Sequence, residues 1–143
     1  MILLDTNVLS ALMRDPAAGS VVGWLDKQDP AQIWTTSVTV FEIRFGLARM
    51  AAGRNQAALE EAFEDLLRED LAGRIAPLDR AAAEAAGRLA ATREASGRIV
   101  DVRDTLIAGI ALARQAAVAT RNVRHFDDLE TGVIDPWTTA AGP

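Results

Sequence analysis

The sequence predicts an α/β fold, a three-layer α/β/α sandwich built on a mostly parallel sheet of four to five strands. Three observations predict it. Short apolar runs at 2–4, 32–36 and 116–120 each end among polar residues. The segments between them carry apolar residues at helical spacing. One of these, 101–115, is apolar on nearly every side, as expected of a helix covered all round. No repeat, linker or low-complexity break divides the 143 residues. One domain over 1–137 is therefore expected, with a frayed tail at 138–143.

Taken in order, Ile2, Leu3 and Leu4 form the first strand, and Asp5-Thr6-Asn7 is capping material. Val8, Leu9, Leu12 and Met13 then mark a helix. A strand at 32–36 follows Asp29-Pro30 and leads into a helix over 38–50. Leu59, Phe63, Leu66 and Leu67 give 55–71 one apolar face opposite many acids, and Gly73 is placed to stop it. The next strand candidate, 73–79, contains Pro77 and so suits a sheet edge. Alanine-rich 80–96 is a helix closed by Gly97, and 101–115 is the buried one. Strands at 116–120 and 133–134 complete the pattern.

The chain has no cysteine, which removes disulfides, thiolate metal sites and cysteine nucleophiles and suits a reducing cytoplasm. Its start lacks the basic residues and length of a signal peptide, and no run approaches the roughly 20 apolar residues of a membrane span. A soluble, cytoplasmic protein is expected. The net charge of −5 argues against coating nucleic acid by bulk charge. Lys27 is the only lysine, however, so the basic side chains are nearly all arginine, the residue that forks onto phosphates.

In a parallel α/β sheet, ligands bind outside the strand C-termini, where the following helices begin. That rule brings distant residues together. Asp5 is the first residue past strand one, Glu42 lies in the opening turns of the helix after strand two, Asp104 heads the buried helix, and Asn122 follows the strand at 116–120. Three carboxylates on one rim would repel unless a cation neutralised them, and oxygen-only ligands suit Mg²⁺, with Mn²⁺ as a substitute. Mg²⁺ points in turn to phosphate chemistry. His125 is the only histidine, which removes a two-histidine route to RNA cleavage within one chain. No P-loop pattern is present.

Each acid also has a structural explanation. Asp5 or Thr6 could simply cap the first helix; Glu42 could close a capping box with Thr39, with Ser37 as a competing cap; Asp101 is best read as a cap. Asp104, on a face with Ile107, Ala108 and Ala111, needs a partner. Asn122 could cap a helix at Val123. Arg121, Arg124 and His125 suit a solvated loop, and Trp34 and Trp137 suit the core.

Taken together, Ile-Leu-Leu-Asp-Thr-Asn at 2–7, Thr-Val-Phe-Glu-Ile-Arg-Phe-Gly at 39–46, Asp-Thr-Leu-Ile-Ala-Gly-Ile-Ala at 104–111, Val-Ala-Thr-Arg-Asn at 118–122 and Asp-Pro-Trp at 135–137 carry a resemblance. The chain resembles the PIN-domain ribonucleases, and most closely the VapC-type toxins of type II toxin–antitoxin pairs, including the FitB-like branch. The resemblance implies a PIN-like fold, with Asp5, Glu42 and Asp104 as catalytic, metal-binding acids and Thr6 hydrogen-bonding at the site. The family's fourth acidic position falls on Asn122 here, so one metal is expected, with Asn122 at most a weak or water-mediated ligand. It further implies a Mg²⁺-dependent endoribonuclease that cleaves cellular RNA, with tRNA or rRNA as the expected class, leaving a 5′-phosphate and 3′-hydroxyl and inhibiting translation. Also implied are a homodimer and neutralisation by a small antitoxin that itself binds operator DNA.

Two other readings compete. A PIN-like module could bind RNA or a partner without cutting, which Asn122 and the acidic composition keep open. An aspartyl-phosphate enzyme would want a second aspartate where Asn7 stands, and a receiver domain would want a lysine late in the chain. For RNA binding the expected layout places Arg44, Arg103, Arg121 and Arg124 around the rim and the excess negative charge on 60–70.

Overall fold

The computed structural model describes residues 1–15 and 19–139. Five parallel strands, β1 (Ile2–Leu4), β2 (Ile33–Thr36), β3 (Ile75–Ala76), β4 (Ala117–Ala119) and β5 (Val133–Ile134), lie in the order β3-β2-β1-β4-β5. The chain leaves β1 toward β2 and β3 on one side and later returns to build β4 and β5 on the other. This makes the crevice between the ends of β1 and β4 the topological switch point, where open α/β sheets bind ligands. Pro77 follows the edge strand β3, as its missing N–H requires.

The helices are α1 (Thr6–Arg14), α2 (Ser20–Asp26), α3 (Ser37–Arg49), α4 (Arg54–Asp65), α5 (Arg80–Ala95), α6 (Val102–Arg114) and α7 (Pro136–Thr139). Alternation along β1 sends Leu4 into one core, with Val8, Leu9, Trp24, Leu47 and Phe63, and Leu3 into the other, with Ile107, Ile110, Val118 and Phe126. Helices therefore cover both faces, giving the three layers.

Helix α2 was not expected. It has seven residues, one of them Gly23, and is held by burying Val21 and Trp24 in the first core. The long helix over 55–71 is split: α4 ends at Asp65 and its last turn widens, Leu71 N–H donating to the Leu66 carbonyl at 2.9 Å. Gly73, at φ +74°, makes the stop. Of the expected frayed tail, Thr138 and Thr139 are the last residues of α7, whose start is fixed by Trp137 N–H donating to Asp135 Oδ1 at 2.9 Å; the rest of that expectation, 140–143, lies outside the described residues.

Helices α5 and α6 pack closely enough to explain the alanines. A Cβ on Gly109 would come within 2.5 Å of both the Ala82 carbonyl oxygen and the Ala86 Cβ. Small residues at 82, 86 and 109 let the two backbones approach.

Candidate active site

At the switch point Asp5 leaves β1 with its backbone N–H donating to the Ala119 carbonyl at 3.0 Å, so the ladder between β1 and β4 continues to the residue that carries the carboxylate. Its Oδ1 accepts the Thr6 N–H at 2.8 Å, so Asp5 does cap α1. The other oxygen, Oδ2, accepts the Thr120 hydroxyl at 2.7 Å. Thr120 Oγ1 in turn accepts from Asn7 Nδ2 at 3.2 Å and from the Asn122 N–H at 3.0 Å, while Asn7 Oδ1 accepts the Arg121 N–H at 3.0 Å. Capping and site geometry are thus one arrangement.

Glu42 sits on α3, whose N-cap is Thr36, its Oγ1 accepting the Thr39 N–H at 3.0 Å. Neither expected cap operates: Thr39 lies inside the helix, and Ser37 Oγ accepts the Leu78 N–H at 2.9 Å. Glu42 is therefore not held in a capping box. Its Oε1 is buried with no hydrogen-bond partner among the described residues, as is the Thr6 hydroxyl. Arg103 Nη1 lies 3.9 Å from Glu42 Oε2.

Asp104 is the third residue of α6, and Asp101 caps that helix as expected, its Oδ1 accepting the Asp104 N–H at 3.0 Å. The partner that Asp104 needs is His125, whose Nδ1 contacts its Oδ2. His125 is thus not merely solvated, although its ring stays half exposed.

Burial pushes the Asp5 carboxyl above its usual range; the Thr120 hydroxyl and Thr6 N–H pull it back, the Asp104 charge raises it further, and His125 opposes that. Burial also raises Glu42, with the Asp5 charge adding, and Thr6 and Arg103 opposing. Carboxylates coupled in this way, with Asp104 raising Asp5 and both raising Glu42, and an orphaned acceptor oxygen form a donor set suited to a hard divalent cation. Among the described residues no three histidine, cysteine, aspartate or glutamate side chains are drawn close enough to hold a metal ion by themselves; an ion here would complete its shell with water.

The arginines divide. Arg103 is beside Glu42, and Arg124 lines a cavity with Asp104 and His125. Arg44 instead pairs with Glu64 on α4 and lies over Phe63, because residues two apart on a helix do not share a face. Arg121 lies over the Trp137 ring. Asn122 has an exposed side chain that makes no capping bond at Val123. Thr120, Asn7, Arg93 and Arg98 were not picked out from the sequence as site residues. Thr120 alone carried a signal, since it follows β4 at the same rim.

The model of the PIN domain matches residues 2–131. The chain belongs to the PIN-domain family. This PIN domain is 36% identical over 140 residues to VapC ribonuclease Y4jK of Sinorhizobium fredii, covering 98% of the chain and 100% of the relative. It is 33% identical over 137 residues to Toxin FitB of Neisseria gonorrhoeae, covering 96% and 99%. Among solved structures, FitAB bound to an IR36 DNA fragment superimposes with a TM-score of 0.85 at 33% identity, covering 96% of each chain. The PIN domain thus has VapC and FitB relatives along nearly its whole length.

Proposed function

We propose that this PIN domain is a Mg²⁺-dependent endoribonuclease, the toxin of a toxin–antitoxin pair, whose ion is held by Asp5, Glu42 and Asp104. The observation that carries the reading is the electrostatic coupling of three carboxylates at the switch point, Asp5 raised by burial and by Asp104, Glu42 by burial, Asp5 and Asp104, with Glu42 Oε1 left unpartnered. When bound, the ion neutralises charge on phosphoryl oxygens and makes a water more acidic. The protein's own residues supply the positioning. Thr120 and the Thr6 N–H fix the two oxygens of Asp5, His125 fixes Asp104, and Arg103 is within reach of a phosphate beside Glu42. Mn²⁺ is the expected substitute.

Likeness to a VapC ribonuclease supports RNA as substrate; on this reading its class is tRNA or rRNA and translation is the process stopped. Likeness to Toxin FitB, and to FitAB bound to a DNA fragment, supports a toxin with a partner and a complex on DNA; on this reading the partner is a cognate antitoxin that engages operator DNA, and the toxin is a homodimer acting in the cytoplasm. Among the described residues no helix is long and apolar enough to cross a membrane.

The test is cleavage of a structured RNA by purified protein freed of antitoxin. Wild type with Mg²⁺ should cut, leaving 5′-phosphate ends; EDTA or Asp5→Asn should abolish cutting. Equal cleavage by wild type and Asp5→Asn would refute the reading. An uncut RNA that is nonetheless bound would favour a non-cleaving RNA-binding module.

A further inference from the structure

The loop after β4 is gripped by two arginines. Arg93, on α5 and almost wholly buried, donates to both carboxylate oxygens of Asp128 at 2.8 Å and to the His125 carbonyl at 2.9 Å. Arg98, in the turn after α5, donates to Asp127 Oδ1 at 2.9 Å and to the Arg124 carbonyl at 2.8 Å. Two successive carbonyls are thereby pinned. The side chains of Arg124 and His125 line a cavity of about 400 Å³ together with Arg98, Ile99 and Asp104. His125 is engaged with Asp104, whereas Arg124 makes no ion pair among the described residues. Ile99 is 98% exposed, so its apolar side chain contributes nothing to the core.

A rigidly held cavity that begins at a site carboxylate, carries an uncommitted guanidinium and has an exposed aliphatic surface is suited to a small anionic ligand with a flat apolar face. An arginine forks onto a phosphate, and an unstacked base lays its face on an apolar side chain. A protein's apolar anchor would instead want an apolar pocket, whereas here the residues around Ile99 are Arg93, Arg98, Asp101, Asp104, Arg124 and His125.

Resting on the ribonuclease reading, we propose that this cavity is a subsite for one unstacked nucleotide of single-stranded RNA adjoining the scissile phosphate. Arg124 holds its phosphate and Ile99 packs against its base. The clamp by Arg93 and Arg98 presents the subsite ready-formed.

The test uses the full chain carrying Asp5→Asn and a fluorescein-labelled, mixed-sequence single-stranded oligoribonucleotide, followed by anisotropy across a salt series. Adding Arg124→Ala should weaken binding about fivefold and reduce the salt slope by about 0.7, the loss of one single-strand phosphate contact. Adding Ile99→Ala should weaken binding with the slope unchanged. Both side chains are on the surface, and circular dichroism checks that the variants fold. If the Asp5→Asn protein binds RNA and neither addition changes affinity or slope, the subsite is overturned while the ribonuclease reading stands. If wild type does not cleave and Asp5→Asn does not bind, both fall together. Loss of antitoxin binding in Ile99→Ala with RNA affinity intact would overturn the subsite in favour of a protein contact.

Discussion

The hydroxyl of Thr120, one residue past β4, donates to Oδ2 of Asp5, one residue past β1, at 2.7 Å. A side-chain hydrogen bond thus joins the ends of β1 and β4 where the sheet's order reverses, beside the backbone bond from Asp5 N–H to Ala119. Because Thr120 Oγ1 also accepts from Asn7 and the Asn122 N–H, its proton is committed to the carboxylate. Thr120→Val removes that donor at little change of shape. RNA cleavage should fall roughly 10- to 100-fold, the usual cost of losing a group that orients a metal ligand. Thr120→Ser, which keeps the donor, should recover most of it. Rates measured across Mg²⁺ concentrations check both.

The raised carboxyls of Asp5 and Glu42 set a pH dependence. A carboxyl whose folded pKa lies above its unfolded value keeps its full stabilising contribution below the unfolded value and loses it as pH rises through the folded one. In EDTA the protein should therefore lose stability from the ordinary carboxylate range up to the raised values. Asp5→Asn with Glu42→Gln should flatten this fall. Mg²⁺ should offset it in wild type only, through binding to the folded state. Asp128, held low first by its hydrogen bond to Arg93, acts in the opposite sense, its contribution being lost as acid protonates it. Subtracting the double variant's melting profile from that of wild type isolates the site.

Arg93→Ala should be among the most damaging substitutions away from the site. Arg93 is 3% exposed, and removing it strands the His125 carbonyl and takes from the Asp128 carboxylate its two short hydrogen bonds, leaving Arg98 at 3.8 Å. Breaking a buried pair in this way costs roughly 3–5 kcal/mol, and because Asp128 keeps some solvent access the lower end is expected. Urea unfolding measures it.

Gly109→Ala tests the approach of α5 and α6. The new methyl would meet a carbonyl oxygen and a Cβ at 2.5 Å, neither able to swing aside, so the helices must part. A loss of about 1–3 kcal/mol is expected in thermal or urea melts.

Much of this could be read from sequence, for a physical reason. Periodicity and end signals locate strands and helix starts, and in a parallel sheet those starts share one edge, so Asp5, Glu42 and Asp104 could be brought together without any contact being known. Contacts were harder. Arg93 lies in an alanine-rich helix and reads as a surface charge, because nothing local reveals that Asp128, 35 residues on, will meet it. The pairing of His125 with Asp104 likewise depends on a loop whose course is set by Arg93 and Arg98. Helix α2 was missed because its seven residues are stabilised by burying Trp24, not by propensity. Arg44 was placed at the rim by sequence proximity to Glu42, whereas helix geometry turned it to Glu64.

The central claim is that the switch-point carboxylates hold a divalent ion. Electron paramagnetic resonance of Mn²⁺ titrated into purified, metal-stripped protein tests it most directly, with wild type set beside Asp5→Asn. Saturable binding at one site in wild type, displaced by Mg²⁺ and lost in Asp5→Asn, is the expected result; indistinguishable Mn²⁺ binding by the two proteins would contradict it.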